Sequence, residues 1–109
     1  LNIARTDSIL SVPGLIPTRL SLLQNRPNPF HPQTTFRFGI PGNSAVRLSI
    51  YDVAGRLVRT LVDGNLPAGN HEAVWDGRDH AGRGLDSGTY FARLEAGGKR
   101  QTVRLSLVY

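Results

Sequence analysis

The sequence has no cysteine and no methionine among its 109 residues, and only one tryptophan and one lysine. Without cysteine there is no disulfide and no thiolate metal site, so stability must come from packing alone. Without methionine, Leu1 is not a translational start, and the segment is expected to belong to a longer protein. A missing signal peptide then says nothing about destination. No apolar run approaches the ~20 residues of a membrane span. No stretch sustains the 3.6-residue period of an amphipathic helix. Glutamate is nearly absent as well: Glu72 and Glu95 are the only two, and both fall on an outward parity. A paired-carboxylate glycosidase centre would therefore have to draw on turn aspartates.

What the sequence does have is arginine. The net charge is +5, and every basic residue except Lys99 is an arginine. These lie scattered from Arg5 to Arg104 rather than clustered with exposed aromatics, which argues against nucleic acid as a partner. The length suits one domain, with a core of ordinary size.

Residues 1–18 show no sustained period and contain Pro13, Gly14 and Pro17. They read as a linker or the edge of a preceding domain, with the folded unit spanning 19–109. Beyond them, short alternating runs are each followed by a turn signal. The expected strands are Leu20–Leu23, Thr34–Ile40, Ala45–Tyr51, Arg56–Val62, Asn70–Asp76, Thr89–Glu95 and Gln101–Tyr109. In the fourth, Leu57 and Leu61 share one face and Val58 and Val62 the other, which suits an edge strand or a bulge. Asp63 to Gly69 reads as a loop, and Gly77 to Gly88 as a longer one. Asp52-Val53-Ala54-Gly55 reads as a hairpin turn, the aspartate bonding to backbone and Gly55 taking a left-handed conformation. The expectation is all-β: a seven-stranded antiparallel sandwich of immunoglobulin-like type, with Trp75 at its centre.

The approach to the second strand, QNRPNPFHPQTTFRF, is rigid. Pro27, Pro29 and Pro32 fix φ and discourage helix, and Asn28 is restricted by the proline after it. This predicts an extended, kinked doorway that aims Phe30 inward as a lid. That architectural role is favoured over a proline-rich recognition ligand, because a strand begins too soon afterwards.

Catalytic patterns are wanting. Asp76, Asp79 and Asp86 with His80 do not follow the twelve-residue calcium loop, and turn-capping aspartates are the favoured reading. Ser87 lies outside a nucleophile elbow. His31, His71 and His80 occupy three different contexts, His71 as a core-edge residue. The glycine stretches lack phosphate-loop spacing. No enzyme and no cofactor is therefore expected. A carbohydrate-binding sandwich would need exposed aromatics, for which Tyr51, Phe91 and Tyr109 have outward parity.

LLQNRPNPFHPQTTFRFGIP, LSIYDVAGRLVRTLVDGNLPAGNHEAVWDGRDHAGRGLDSGTYFARLEAGG and QTVRLSLV occur in that order. They resemble the C-terminal sorting domain (type A) of proteins exported by the type IX secretion system, and the related FlgD-like immunoglobulin-like domain. The resemblance rests on Pro27-Asn28-Pro29-Phe30, Tyr51-Asp52 with Gly55, Gly69 with His71, Trp75-Asp76-Gly77 and Ser87-Gly88-Thr89-Tyr90. Arg26 stands where an aromatic is common, and His31 where asparagine is. The resemblance implies a non-catalytic module at the end of a larger protein, secreted or on the bacterial cell surface. Its implied partners are an upstream cargo domain, the outer-membrane secretion machinery and a sortase-like protease. Recognition is expected at the last strand and its hairpin, with Lys99, Arg100, Arg104 and Leu105 as candidates; the alternative for Arg104 is simple solvation of an outer face. The alternative function is a FlgD-like or carbohydrate-binding spacer.

Overall fold

The computed structural model describes residues 16–108. Most of the expected linker and the whole of Tyr109 lie outside the described residues. The seven strands are β1 (Ser21–Leu22), β2 (Thr34–Ile40), β3 (Ser44–Asp52), β4 (Leu57–Leu66), β5 (Gly69–Trp75), β6 (Gly88–Ala96) and β7 (Lys99–Leu107). They form two antiparallel sheets, ordered β1-β2-β5 and β4-β3-β6-β7, so the fold is an immunoglobulin-like sandwich. No described helix is long and apolar enough to cross a membrane.

The period-2 alternation does what it predicts. Phe36, Phe38 and Ile40 of β2, Val46, Leu48 and Ile50 of β3, and Tyr90, Ala92 and Leu94 of β6 are all buried between the sheets. Trp75 is fully buried; its ring lies 5.3 Å from Phe30 and 5.6 Å, edge-on, from Tyr90. Its indole N–H donates to the carbonyl of Arg78. Tyr90 is the third residue of β6, and its hydroxyl donates back to the Asp86 carbonyl at 2.7 Å. That is the corner device by which a tyrosine pins a loop in sandwich folds.

The ends of β4 and β5 differ from expectation. β4 runs on through Asp63, Gly64 and Asn65, because Arg47, Val46 and Ala45 of β3 sit opposite and hold the polar segment in register. β5 stops at Trp75, and Asp76 instead turns the chain by accepting from the Arg78 amide. β4 is both an edge strand and bulged, with register shifts between Leu48/Ser49 and Ile50/Tyr51 of its partner; each inserts one β4 residue, and this produces the mixed parity of its side chains.

The doorway packs as a lid. Phe30 is 1 % exposed. Behind it, the fully buried Asn25 side-chain amide donates to Pro27 O and to Thr34 Oγ1, while Thr34 Oγ1 donates to Pro27 O at 2.7 Å. Arg26 and Thr35 exchange both backbone bonds. Pro17 is buried against Gly39, where an added Cβ would lie 2.7 Å from the proline ring.

Candidate functional site

The outer edge of β7 is the first feature of interest. Phe30 N–H donates to Ser106 O, and Val108 N–H donates to Phe30 O, forming a short parallel bridge. Asn28 Oδ1 accepts from Ser106 N–H at 2.9 Å, and Gln24 Nε2 donates to Arg104 O at 2.8 Å. At the other end Gln101 reaches back: its Oε1 accepts from Leu22 N–H and its Nε2 donates to Leu20 O. The doorway is thus also a clasp along the last strand. Backbone groups expected to be open to a partner at Arg104 and Ser106 are engaged within the molecule.

Of the candidate recognition residues, Lys99, Arg100 and Arg104 are exposed. Lys99 and Arg100 line a shallow groove of about 700 Å³ with Arg47, Asp63 and Glu95. Leu105 is the correction: at 1 % exposure it belongs to the core, as inward parity on β7 demands, and presents nothing to a partner.

Asp79 of the polar loop caps a turn, as Asp76 does just before it, and here the structure shows a repetition. Asp52-Val53-Ala54-Gly55-Arg56 and Asp79-His80-Ala81-Gly82-Arg83 build the same turn. In each, aspartate Oδ1 accepts from the amides two and four residues on. Oδ2 accepts from the arginine Nε, at 2.9 Å in the first turn and 3.2 Å in the second. Each glycine has φ +82° and donates its N–H to the aspartate carbonyl, and each aspartate N–H donates to the arginine carbonyl. These bonds, the backbone amide of the arginine foremost, hold both carboxyls below the ordinary aspartate range against some opposing desolvation. The two turns face one another across a cleft of about 380 Å³ with Leu57, Val58 and Leu85. His80 N–H donates to Val58 O, tying the second turn to β4. The signal for this pairing is the D-x-A-G-R repeat, a match in sequence that single-turn reasoning passes over.

Asp86 lies apart from this pairing: its backbone carbonyl receives Tyr90, while Asp76 Oδ1 holds Arg59 at 3.3 Å. No group of three His, Asp or Glu among the described residues is placed to hold a metal ion. His71 is half-buried, its ring stacked on Phe38 at 5.6 Å and its Nε2 donating to Pro67 O. Gly77 completes the Trp75-Asp76-Gly77 signature: φ is +76°, and an added Cβ would lie 3.3 Å from the Pro32 carbonyl.

The outer face of the four-stranded sheet brings together residues that were separate in sequence. Tyr51 stands opposite Leu57 on one side and Phe91 on the other, and Phe91 stands opposite Arg104. Ser49 stands opposite Thr60 and Arg93, and Arg93 opposite Thr102. The expected outward aromatics Tyr51 and Phe91 are therefore neighbours.

Residues 29–99 match the FlgD Ig-like domain family. The chain belongs to that family. No curated protein matches it. Among solved structures, the domain is similar to dimeric latent PorU from Porphyromonas gingivalis, with 24 % identity and a TM-score of 0.66 over 89 % of this chain and 10 % of that one. It is also similar to PorZ, an essential surface component of the type-IX secretion system of the same organism, with 18 % identity and a TM-score of 0.52 over 83 % of this chain and 11 % of that one. FlgD from P. aeruginosa is 28 % identical, with a TM-score of 0.51 over 69 % of this chain and 59 % of that one. This FlgD Ig-like domain thus spans about a tenth of the length of PorU and of PorZ. At these identities PorU and PorZ share its fold.

Proposed function

We propose that this FlgD Ig-like domain is a non-catalytic sorting and surface-anchoring module of a type IX secreted protein, read by the outer-membrane machinery and released by a sortase-like protease. The observation that supports this reading over a FlgD-type spacer is coverage. The family match stops at residue 99, where β7 begins, and leaves out β1 and most of the doorway. Similarity to PorZ, the type-IX surface component, extends over 83 % of the chain, against 69 % for FlgD. Beyond the family match lie β7 from Arg100 onward and clasp residues 24–28, and the former carries the exposed Arg100 and Arg104.

The mechanism is recognition by side chains on a paired strand. Three cations along β7 steer an acidic receptor surface, and the groove beside Lys99 and Arg100 gives it a place to seat. The module holds itself rigid while its cargo is carried; hydrolysis of any kind belongs to other domains.

The test is export of a reporter fused ahead of Leu1 in a type IX host. Deleting β7 is uninformative, since Leu105 and Leu107 are core residues and their loss unfolds the module. The triple variant Lys99→Ser, Arg100→Ser, Arg104→Ser keeps the core and is expected to leave the reporter in the periplasm. Normal surface delivery of that variant refutes recognition by these cations.

A further inference from the structure

The outer face of β4-β3-β6-β7 carries polar atoms that the fold does not use. Arg93 lies flat over Tyr51, its Cζ 4.5 Å from the ring centre and its Nη2 donating to the Tyr51 hydroxyl at 2.7 Å. In that pose Arg93 Nε has no hydrogen-bond partner; Glu95 Oε1 is 4.0 Å away. The hydroxyl of Ser49, directly opposite on β3, is fully buried and also without a partner. Buried polar groups are ordinarily satisfied, so two orphans side by side on a sheet face call for an explanation.

Both atoms are buried, so a ligand on this face would meet the exposed groups around them. The two cross-strand rows that hold them read Thr60–Ser49–Arg93–Thr102 and Leu57–Tyr51–Phe91–Arg104. Neither contains a carboxylate; the acids of this face, Asp63 and Glu95, sit in the next row with Arg47 and Arg100. Arg93 and Arg104 are diagonal neighbours across β6 and β7, about 7–8 Å apart at the backbone. Phe91, half-buried, stands opposite Arg104 and two residues before Arg93 on β6. Tyr51 acts as a prop that fixes one guanidinium, Arg104 is the second cation, and threonine hydroxyls flank both.

We propose that this face binds an anionic polysaccharide. A uronate-type carboxylate fits between the two guanidiniums as a charge-assisted pair, and the apolar face of its pyranose ring packs on Phe91. An extended acidic peptide is the poorer fit. Tyr51, Phe91 and Arg93 lie on β3 and β6, which are paired on both sides, so a peptide laid over them gains no backbone ladder there, whereas sugar hydroxyls match the threonine and arginine donors. This inference goes beyond the sorting role and does not rest on it.

The test is affinity electrophoresis and calorimetry of the full 109-residue chain with polygalacturonate, with its methyl-esterified neutral form, and with poly-L-glutamate. Polygalacturonate is expected to bind. Phe91→Ala and Arg104→Gln should each weaken it by about tenfold, the scale of one stacked ring or one charge-assisted contact. Arg37→Gln, which removes the same charge from the outer side of the opposite sheet, should leave binding within about twofold, as expected for a charge beyond the screening length. Trp75 emission reports that each variant is folded. Four results would each overturn the proposal: no binding to polygalacturonate; equal loss with Arg37→Gln, meaning bulk charge only; polyglutamate binding as tightly, meaning an acidic protein surface; or the methyl ester binding as well as the acid.

Discussion

Replacing Phe30 by alanine tests whether the proline doorway is part of the cooperative unit. Phe30 is 1 % exposed and lies against Trp75, while its backbone bridges Ser106 and Val108. Loss of its transfer free energy amounts to about 1.5–3 kcal/mol. The cavity left above Trp75 cannot collapse readily, because prolines hold the chain on both sides, so the total should approach the usual phenylalanine-to-alanine cost of about 3–5 kcal/mol. For a domain of this size, with a urea slope of roughly 1–1.5 kcal/mol/M, the midpoint should fall by about 2–5 M. The assay is urea unfolding followed by emission of Trp75, the only tryptophan, which touches the mutated site and reports the core at once. Phe91→Ala on the outer face is the internal comparison and should shift the midpoint by less than about 1 M, as a half-exposed side chain does. A Phe30→Ala midpoint within about 0.5 M of the parent would show that residues 24–32 lie on the sandwich without stabilising it.

Two further outcomes follow from the hydrogen bonds. Asp52 and Asp79 have folded-state pKa values below the ordinary 3.8, so their stabilisation is fully present above that value and is lost as pH falls through the lowered one. Thermal melts of Asp52→Asn/Asp79→Asn should show a deficit at pH 7 that shrinks below pH 4; a deficit constant with pH would mean that carboxylate charge contributes nothing. Asn28→Ala removes the acceptor for Ser106 N–H, with an expected cost of about 1 kcal/mol. Hydrogen exchange at Ser106 should accelerate while that at Leu94 in the core is unchanged; equal protection in parent and variant would show that the clasp is not what shields the edge.

Much of this fold is legible because period-2 alternation survives wherever a strand is unbulged. β2, β3 and β6 bury the residues their alternation names, and Phe30 lies where the prolines aim it. β4 is not legible in that way, since each bulge flips the face of every side chain beyond it. Its polar end, Asp63-Gly64-Asn65, reads as a turn and is a strand only because β3 is opposite. The candidate sites are harder still. Leu105 looked like a contact residue from its place beside two cations, yet inward parity had already assigned it to the core. The neighbours Tyr51 and Phe91, or Ser49 and Arg93, become neighbours only through cross-strand register, which sequence alternation does not specify. The clasp is hidden for another reason: Gln24, Asn28 and Gln101 are ordinary exposed-type amides until β7 is laid beside residues 20–30.

That clasp constrains any reader of the last strand. An edge strand normally invites a partner to add a strand of its own, with backbone bonds supplying affinity. Here the edge at Arg104 and Ser106 is already bonded by Gln24, Asn28 and Phe30, and Gln101 bridges to β1 beyond it. A receptor that approaches β7 must therefore either take its side chains on the outward face, or first displace a doorway whose Phe30 is packed into the core. The second route costs the burial of Phe30 and several hydrogen bonds, on the order of the 5–15 kcal/mol that holds a domain together. The first costs only desolvation of exposed guanidiniums. Recognition by Lys99, Arg100 and Arg104 of the intact sandwich is the cheaper route by several kcal/mol. It follows that variants loosening the doorway, Asn28→Ala among them, should lower stability without strengthening capture by the receptor; stronger capture would show that β7 is read by its backbone after all.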